Sequence, residues 1–145
     1  MLCEPLPPEY DPGARLAALR RHRAQARRLD RALRIEHGVN LTGVAILRDL
    51  AAAPMGRLPR RSLAHHLGLS FSAISLVLLS LEAKRLVDRH QHRNDDRVAL
   101  AAITPPGLQA LAGCKVTLAR HLAAGKLDAQ ADSRQGSASP SRSFT

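Results

Sequence analysis

A chain of 145 residues with 45% hydrophobic content suits one folded domain and excludes a wholly disordered polypeptide. Aromatic residues are only 2%, so a core has to be built from Leu, Ala, Val and Ile, a composition that favours helices. The net charge of +10 excludes an acidic binder of cations and points to a polyanionic partner.

Of the 22 basic residues, all but Lys84, Lys115 and Lys126 are arginine, whose planar fork matches phosphate oxygens. A solvated basic face or an arginine-rich coding bias would give the same total. Cys3 and Cys114 are far apart, which excludes a zinc ribbon or a disulfide scaffold. No apolar run approaches the ~18 residues needed to span a membrane. The segment Met1-Leu2-Cys3-Glu4-Pro5 lacks the basic and apolar parts of a secretory signal. The expected setting is the reducing cytoplasm.

Residues 1–13 contain Pro5, Pro7, Pro8, Pro12 and Gly13 and read as an extended arm. A first helix is expected over residues 14–36. Leu16, Leu19, Leu29, Leu33 and Ile35 form its apolar stripe, many arginines crowd its middle, and Gly38 ends it. A second helix starts at Asn40 or Thr42 and reaches Ala53, burying Leu41, Val44, Ile46, Leu47 and Leu50. Pro54-Met55-Gly56 breaks it. A third helix spans residues 60–67 and stops at Gly68. A fourth starts at Ser70 or Ser72, runs to about Lys84, and places Ile74, Val77, Leu78 and Leu81 at core spacing.

A strand follows at residues 86–89, then a polar hairpin tip at 90–97, and a returning strand at 98–103. Thr104 caps a fifth helix with Pro105 at its first position, where a missing N–H is harmless. Leu108, Leu111, Val116, Leu118 and Leu122 mark its expected buried side. Residues 133–145 are rich in Ser, Arg and Gly and read as an unfolded tail.

Helix, turn, helix and charged hairpin in that order form a device for gripping duplex DNA. Four signatures carry a family resemblance: Ile46-Leu47 with Leu50; Leu63-Ala64 followed by Leu67-Gly68-Leu69-Ser70; Asp95-x-Arg97; and Ile103-Thr104-Pro105-Pro106-Gly107. Together they make residues 39–111 resemble the multiple-antibiotic-resistance regulator (MarR) family of winged helix-turn-helix transcription factors. The resemblance implies a mainly α fold with a two-stranded β-hairpin wing and helical dimerisation elements. It divides the chain into an arm (1–13), an amino-terminal dimerisation helix (14–37), a winged helix-turn-helix (38–104), a carboxyl-terminal dimerisation helix (105–130) and a tail (131–145). It implies a homodimeric regulator of double-stranded DNA, usually a repressor, often released by small phenolic ligands or oxidation. The arginine density of the first helix adds an anionic effector to the expectation. With no phosphate loop, Gly-x-Ser-x-Gly or carboxylate pair in the sequence, no catalysis and no cofactor are expected.

Arg97 is expected in the minor groove, where negative potential concentrates, with Asp95 orienting it; a simple hairpin ion pair is the other reading. Ser70, Ser72 and Ser75 sit on the recognition helix and can meet phosphates or bases, though Ser70 or Ser72 can equally cap it. Arg60, Arg61, Arg89 and Arg93 are expected on phosphates. Leu76 and Leu79 depart from the family, which often places polar residues there. They can touch thymine methyls or a partner protein. Arg85 stands where the family usually has glycine. Cys3 and Cys114 raise a redox reading, although Cys114 also suits a core. His90-x-His92 alone is a weak metal signal. Two other classes stay open: a winged helix turned protein-interaction module, and a sequence-blind basic binder of nucleic acid.

Overall fold

The computed structural model describes residues 11–92 and 95–135, with side chains for 11–91 and 99–125. Helix α1 (Pro12–His37) starts where the Asp11 carboxylate accepts from the Gly13 N–H at 2.9 Å, and ends at left-handed Gly38. Helix α2 (Leu41–Ala52) begins with two caps. Asn40 accepts from the Gly43 N–H at 2.7 Å, and Asp30 of α1 accepts from the Leu41 N–H at 2.8 Å. Each satisfies an N–H that the helix leaves without an internal partner. The Asp30 contact also fixes α2 against α1.

After a 3-10 turn at Pro54–Gly56 come strand β1 (Arg57–Pro59) and helix α3 (Arg60–Leu67), which ends at left-handed Gly68. Helix α4 (Phe71–Ala83) follows, capped by Ser70, whose hydroxyl accepts from the Ala73 N–H at 3.1 Å. Strands β2 (Val87–His92) and β3 (Asp95–Ile103) lead into helix α5 (Pro105–Gln135), which continues past the boundary expected at residue 130.

The sheet is antiparallel in the order β1-β3-β2, three strands rather than the expected two. Arg57, Leu58 and Pro59 pair with Ala102, Ala101 and Leu100. A three-residue strand holding a proline has no periodicity to reveal it; its pairing is decided by β3, some 40 residues later. Strands β2 and β3 are also longer than expected. Their ladder runs to His92 opposite Asp95, with an irregularity at Gln91 and His92. Backbone hydrogen bonds hold the outer ribbon without the apolar alternation that sequence reading looks for.

The core joins every helix to the sheet. Leu33, Ile46, Leu47, Leu50, Leu63, Ile74, Leu78, Val87 and Cys114 are fully buried, with Leu81, Ala101 and Leu111 close behind. Leu41, Val77 and Leu118 pack at its edge. Each buried aliphatic side chain contributes roughly 1.5–3 kcal/mol.

Two expected stripes are only partly buried. On α1, Leu29 and Leu33 are buried while Leu16, Leu19 and Ile35 are exposed. On α5, Leu111 and Cys114 are buried while Leu108, Val116 and Leu122 are exposed. The core reaches only the last three turns of α1 and the first half of α5. Among the described residues nothing covers the rest.

Candidate nucleic-acid interface

Helices α3 and α4 meet at a bend of 114°, within the range of helix-turn-helix pairs. One side of α4 is anchored by Ile74, Leu78 and Leu81. The opposite side carries Ser72, Leu76, Leu79 and Ala83 in one line, all exposed. Leu76 is 70% exposed and Leu79 51%, so both face outward as their spacing requires. Phe71, on the first turn, is 56% exposed. Sequence reasoning overlooked it, although a solitary aromatic beside a capping serine was the available signal. Ser70 is the cap and Ser72 is free of that duty; Ser75 is half-buried at the edge of the line.

The arginines separate into two kinds. Arg61 is exposed on α3. Arg60 corrects the phosphate-gripping expectation: it is only 8% exposed and bonds Glu82 of α4 at 3.1 Å. Its Nε has no hydrogen-bond partner among the described residues. The first turn of α3 packs under α4, so position 60 points inward. Glu82 also accepts from Arg89 of β2, at 3.2 and 3.3 Å, and Arg89 remains half exposed. One carboxylate thus ties α3, α4 and the base of the hairpin together. Glu82 went unnoticed in the sequence, although it is the one charged residue of α4. Asp95 and Arg97 lie on β3, with side chains outside the described residues; Arg93 and Cys3 lie outside them altogether.

The turn from α4 into β2 is held by Thr104. Arg85 adopts φ +59°, the left-handed conformation that glycine normally fills. The Thr104 hydroxyl donates to the Arg85 carbonyl at 2.7 Å and accepts from the Gly107 N–H at 3.0 Å. The Thr104 N–H donates to the Leu86 carbonyl at 3.1 Å. Gly107 rests against that same carbonyl, where a Cβ would collide with it. These contacts explain Thr104 and Gly107 of the 103–107 signature: they fasten the start of α5 to the end of α4.

A polar cluster joins α1 to α5. Buried Thr117 donates to Glu36 at 2.7 Å, and Arg120 reaches the same carboxylate at 2.6 Å. The Thr117 proton is thereby used, so His37 Nε2, 2.8 Å away, must donate to its oxygen. The Thr117 hydroxyl and Arg120 hold the Glu36 carboxyl below its ordinary range, outweighing desolvation. Cys114 lies fully inside the core, and burial pushes its thiol up, away from the reactive thiolate. Among the described residues no group of three His, Cys, Asp or Glu side chains is placed to hold a metal. A cavity of about 310 Å³ lies between the end of α1 and the inner edge of α4, lined by Arg34, Val39, Asn40, Val77, Ser80 and Leu81 among others.

This geometry defines a winged helix-turn-helix protein. Its fold is shared, across most of both chains, with solved transcriptional regulators. BldR from Sulfolobus solfataricus matches with a TM-score of 0.70 at 24% identity, over 80% of this chain and 81% of its own. A MarR family regulator from Streptomyces coelicolor, solved in complex with DNA, gives 0.68 at 19% identity, over 96% and 97%. MarR of E. coli gives 0.66 at 22% identity, over 79% and 81%. The fold is therefore that of the MarR family regulators. No protein-family model matches the sequence, and no curated protein matches it significantly.

Proposed function

We propose that this protein is a transcriptional regulator that binds double-stranded DNA as a homodimer, with α4 in the major groove and the β2–β3 wing beside it. The observation that carries this reading is the outward, unobstructed face of α4, set at 114° to α3 in a chain of net charge +10. Arg61, Arg89 and Arg93 serve as phosphate contacts, and Arg97 with Asp95 as the wing's minor-groove element. Arg60 is left out because Glu82 holds it inside. The exposed Leu16, Leu19, Leu108, Val116 and Leu122 of α1 and α5 supply an apolar surface for a second copy. In such a dimer, two α4 helices enter successive major grooves about 34 Å apart.

Repression is the expected sign of regulation, with no catalysis and no cofactor. In this reading the cavity beside α4 takes a small anionic or phenolic effector; Arg34, which lines it, is ion-paired with Asp30 at 3.0 Å and would have to be shared with the ligand. The protein would then work in the cytoplasm, on the nucleoid.

Fluorescence anisotropy on the chain's own upstream region and on a scrambled duplex, at two salt concentrations, tests the proposal. The native duplex should bind more tightly, and Arg97→Ala should weaken it. Each lost phosphate contact should lower the salt slope by about 0.9. Sedimentation of the same sample should show a dimer. Absence of binding to either duplex at low salt would overturn the DNA reading and favour a protein-interaction module.

A further inference from the structure

The outward line of α4 lacks the side chains by which most bases are recognised. Guanine is read by Arg or Lys, adenine by Asn or Gln, and cytosine by an acidic acceptor. Helix α4 contains no Arg, Lys, Asn, Gln or Asp. Its one acidic residue, Glu82, is turned to Arg60 and Arg89. What the line does offer is Ser72, Leu76, Leu79 and Ala83. Thymine is the one base that presents an apolar group, its 5-methyl, in the major groove.

We propose that Leu76 and Leu79 determine specificity by seating on the methyl groups of thymines in adjacent base pairs. Side chains three residues apart on a helix stand about 5–6 Å from each other, between one and two of the roughly 3.4 Å base-pair steps. Two leucines along one groove therefore meet successive steps. Their surroundings fit DNA better than an apolar protein partner. The stripe includes Ser72 and is flanked by Ser75 and Ser80, with exposed Phe71 at the start of the helix. Lys84 and Arg85 follow it directly, and Arg61 and Arg89 are exposed on the neighbouring α3 and β2. Cations around a thin apolar line suit a groove with phosphates on both sides. This inference rests on the DNA-binding reading above and narrows it to thymine-containing half-sites.

The test begins with a duplex enriched by the full-length protein from a random pool. Deoxyuridine then replaces thymine one position at a time, removing only the methyl. Affinity should fall about fourfold for each contacted methyl, the equivalent of one buried methylene. At those positions Leu76→Ala or Leu79→Ala should abolish the sensitivity; both side chains are exposed, so the fold is retained. If deoxyuridine is neutral at every position, or if no sequence is enriched from a pool that binds, this inference falls while DNA binding stands. If no duplex binds at low salt, both fall.

Discussion

Removing the Glu82 carboxylate should damage the protein far more than removing either of its partners. Arg60 is 8% exposed with one orphaned N–H, so Glu82 is its sole neutralising contact among the described residues. Breaking a buried ion pair from one side leaves an uncompensated charge and costs roughly 3–5 kcal/mol. Glu82 keeps some solvent contact, which places Glu82→Ala at the lower end, about 3 kcal/mol. Arg89 is half exposed, and Arg89→Ala should cost under about 1 kcal/mol. Arg60→Met removes the buried charge together with its orphaned nitrogen, fills similar space, and leaves Glu82 paired with Arg89. It should therefore stay within about 1 kcal/mol of the parent. Urea unfolding at one fixed protein concentration measures all three, with unchanged slopes required for comparison. In thermal terms Glu82→Ala should lower Tm by about 9 °C, from about 3 °C per kcal/mol at this size. If Arg60→Met loses as much as Glu82→Ala, the pair stabilises through mutual attraction and the reasoning is refuted.

Three further outcomes follow from the turn and the helix pair. Arg85→Gly should raise stability by about 1 kcal/mol in the same urea assay, because φ +59° strains any residue with a Cβ. Gly107→Ala should lower it by about 2 kcal/mol or more, since the added methyl strikes the Leu86 carbonyl; an unchanged midpoint would show that α5 can shift freely. Glu36 has a lowered folded pKa, so its contribution is fully present above the unfolded value near 4.5 and is lost as pH falls through the folded value. Thr117→Val removes the leading cause of that lowering, so stability followed from about pH 6 to pH 3 should decline less steeply than in the parent.

What could be read from the sequence was decided by near neighbours. Gly38 and Gly68 end their helices, Ser70 caps α4, and the Leu and Ile spacing of α2 and α4 gives the inner faces. Each of these depends on residues within one or two turns. Arg60 was misplaced because its partner Glu82 lies 22 positions away, and no local pattern distinguishes an inward arginine from an outward one. Leu16, Leu19 and Leu108 have ordinary core spacing. Periodicity identifies an apolar face without saying whether the same chain covers it. Leu76 and Leu79 were legible as outward because their exposure follows from the anchoring of Ile74, Leu78 and Leu81 on the opposite side.

Only Thr104 separates the last residue of β3 from the first of α5. The hairpin and the fifth helix therefore share Thr104 as their single joint. The nine residues of β3 make an arm of about 30 Å at roughly 3.3 Å per residue. On an arm of that length, a tilt of about 5° at the base of β3, where β1 pairs with residues 100–102, would displace the far end of the hairpin by about 2.5 Å, nearly the span of a hydrogen bond. In the DNA-binding reading proposed above, the angle at this joint would set where the hairpin meets a groove.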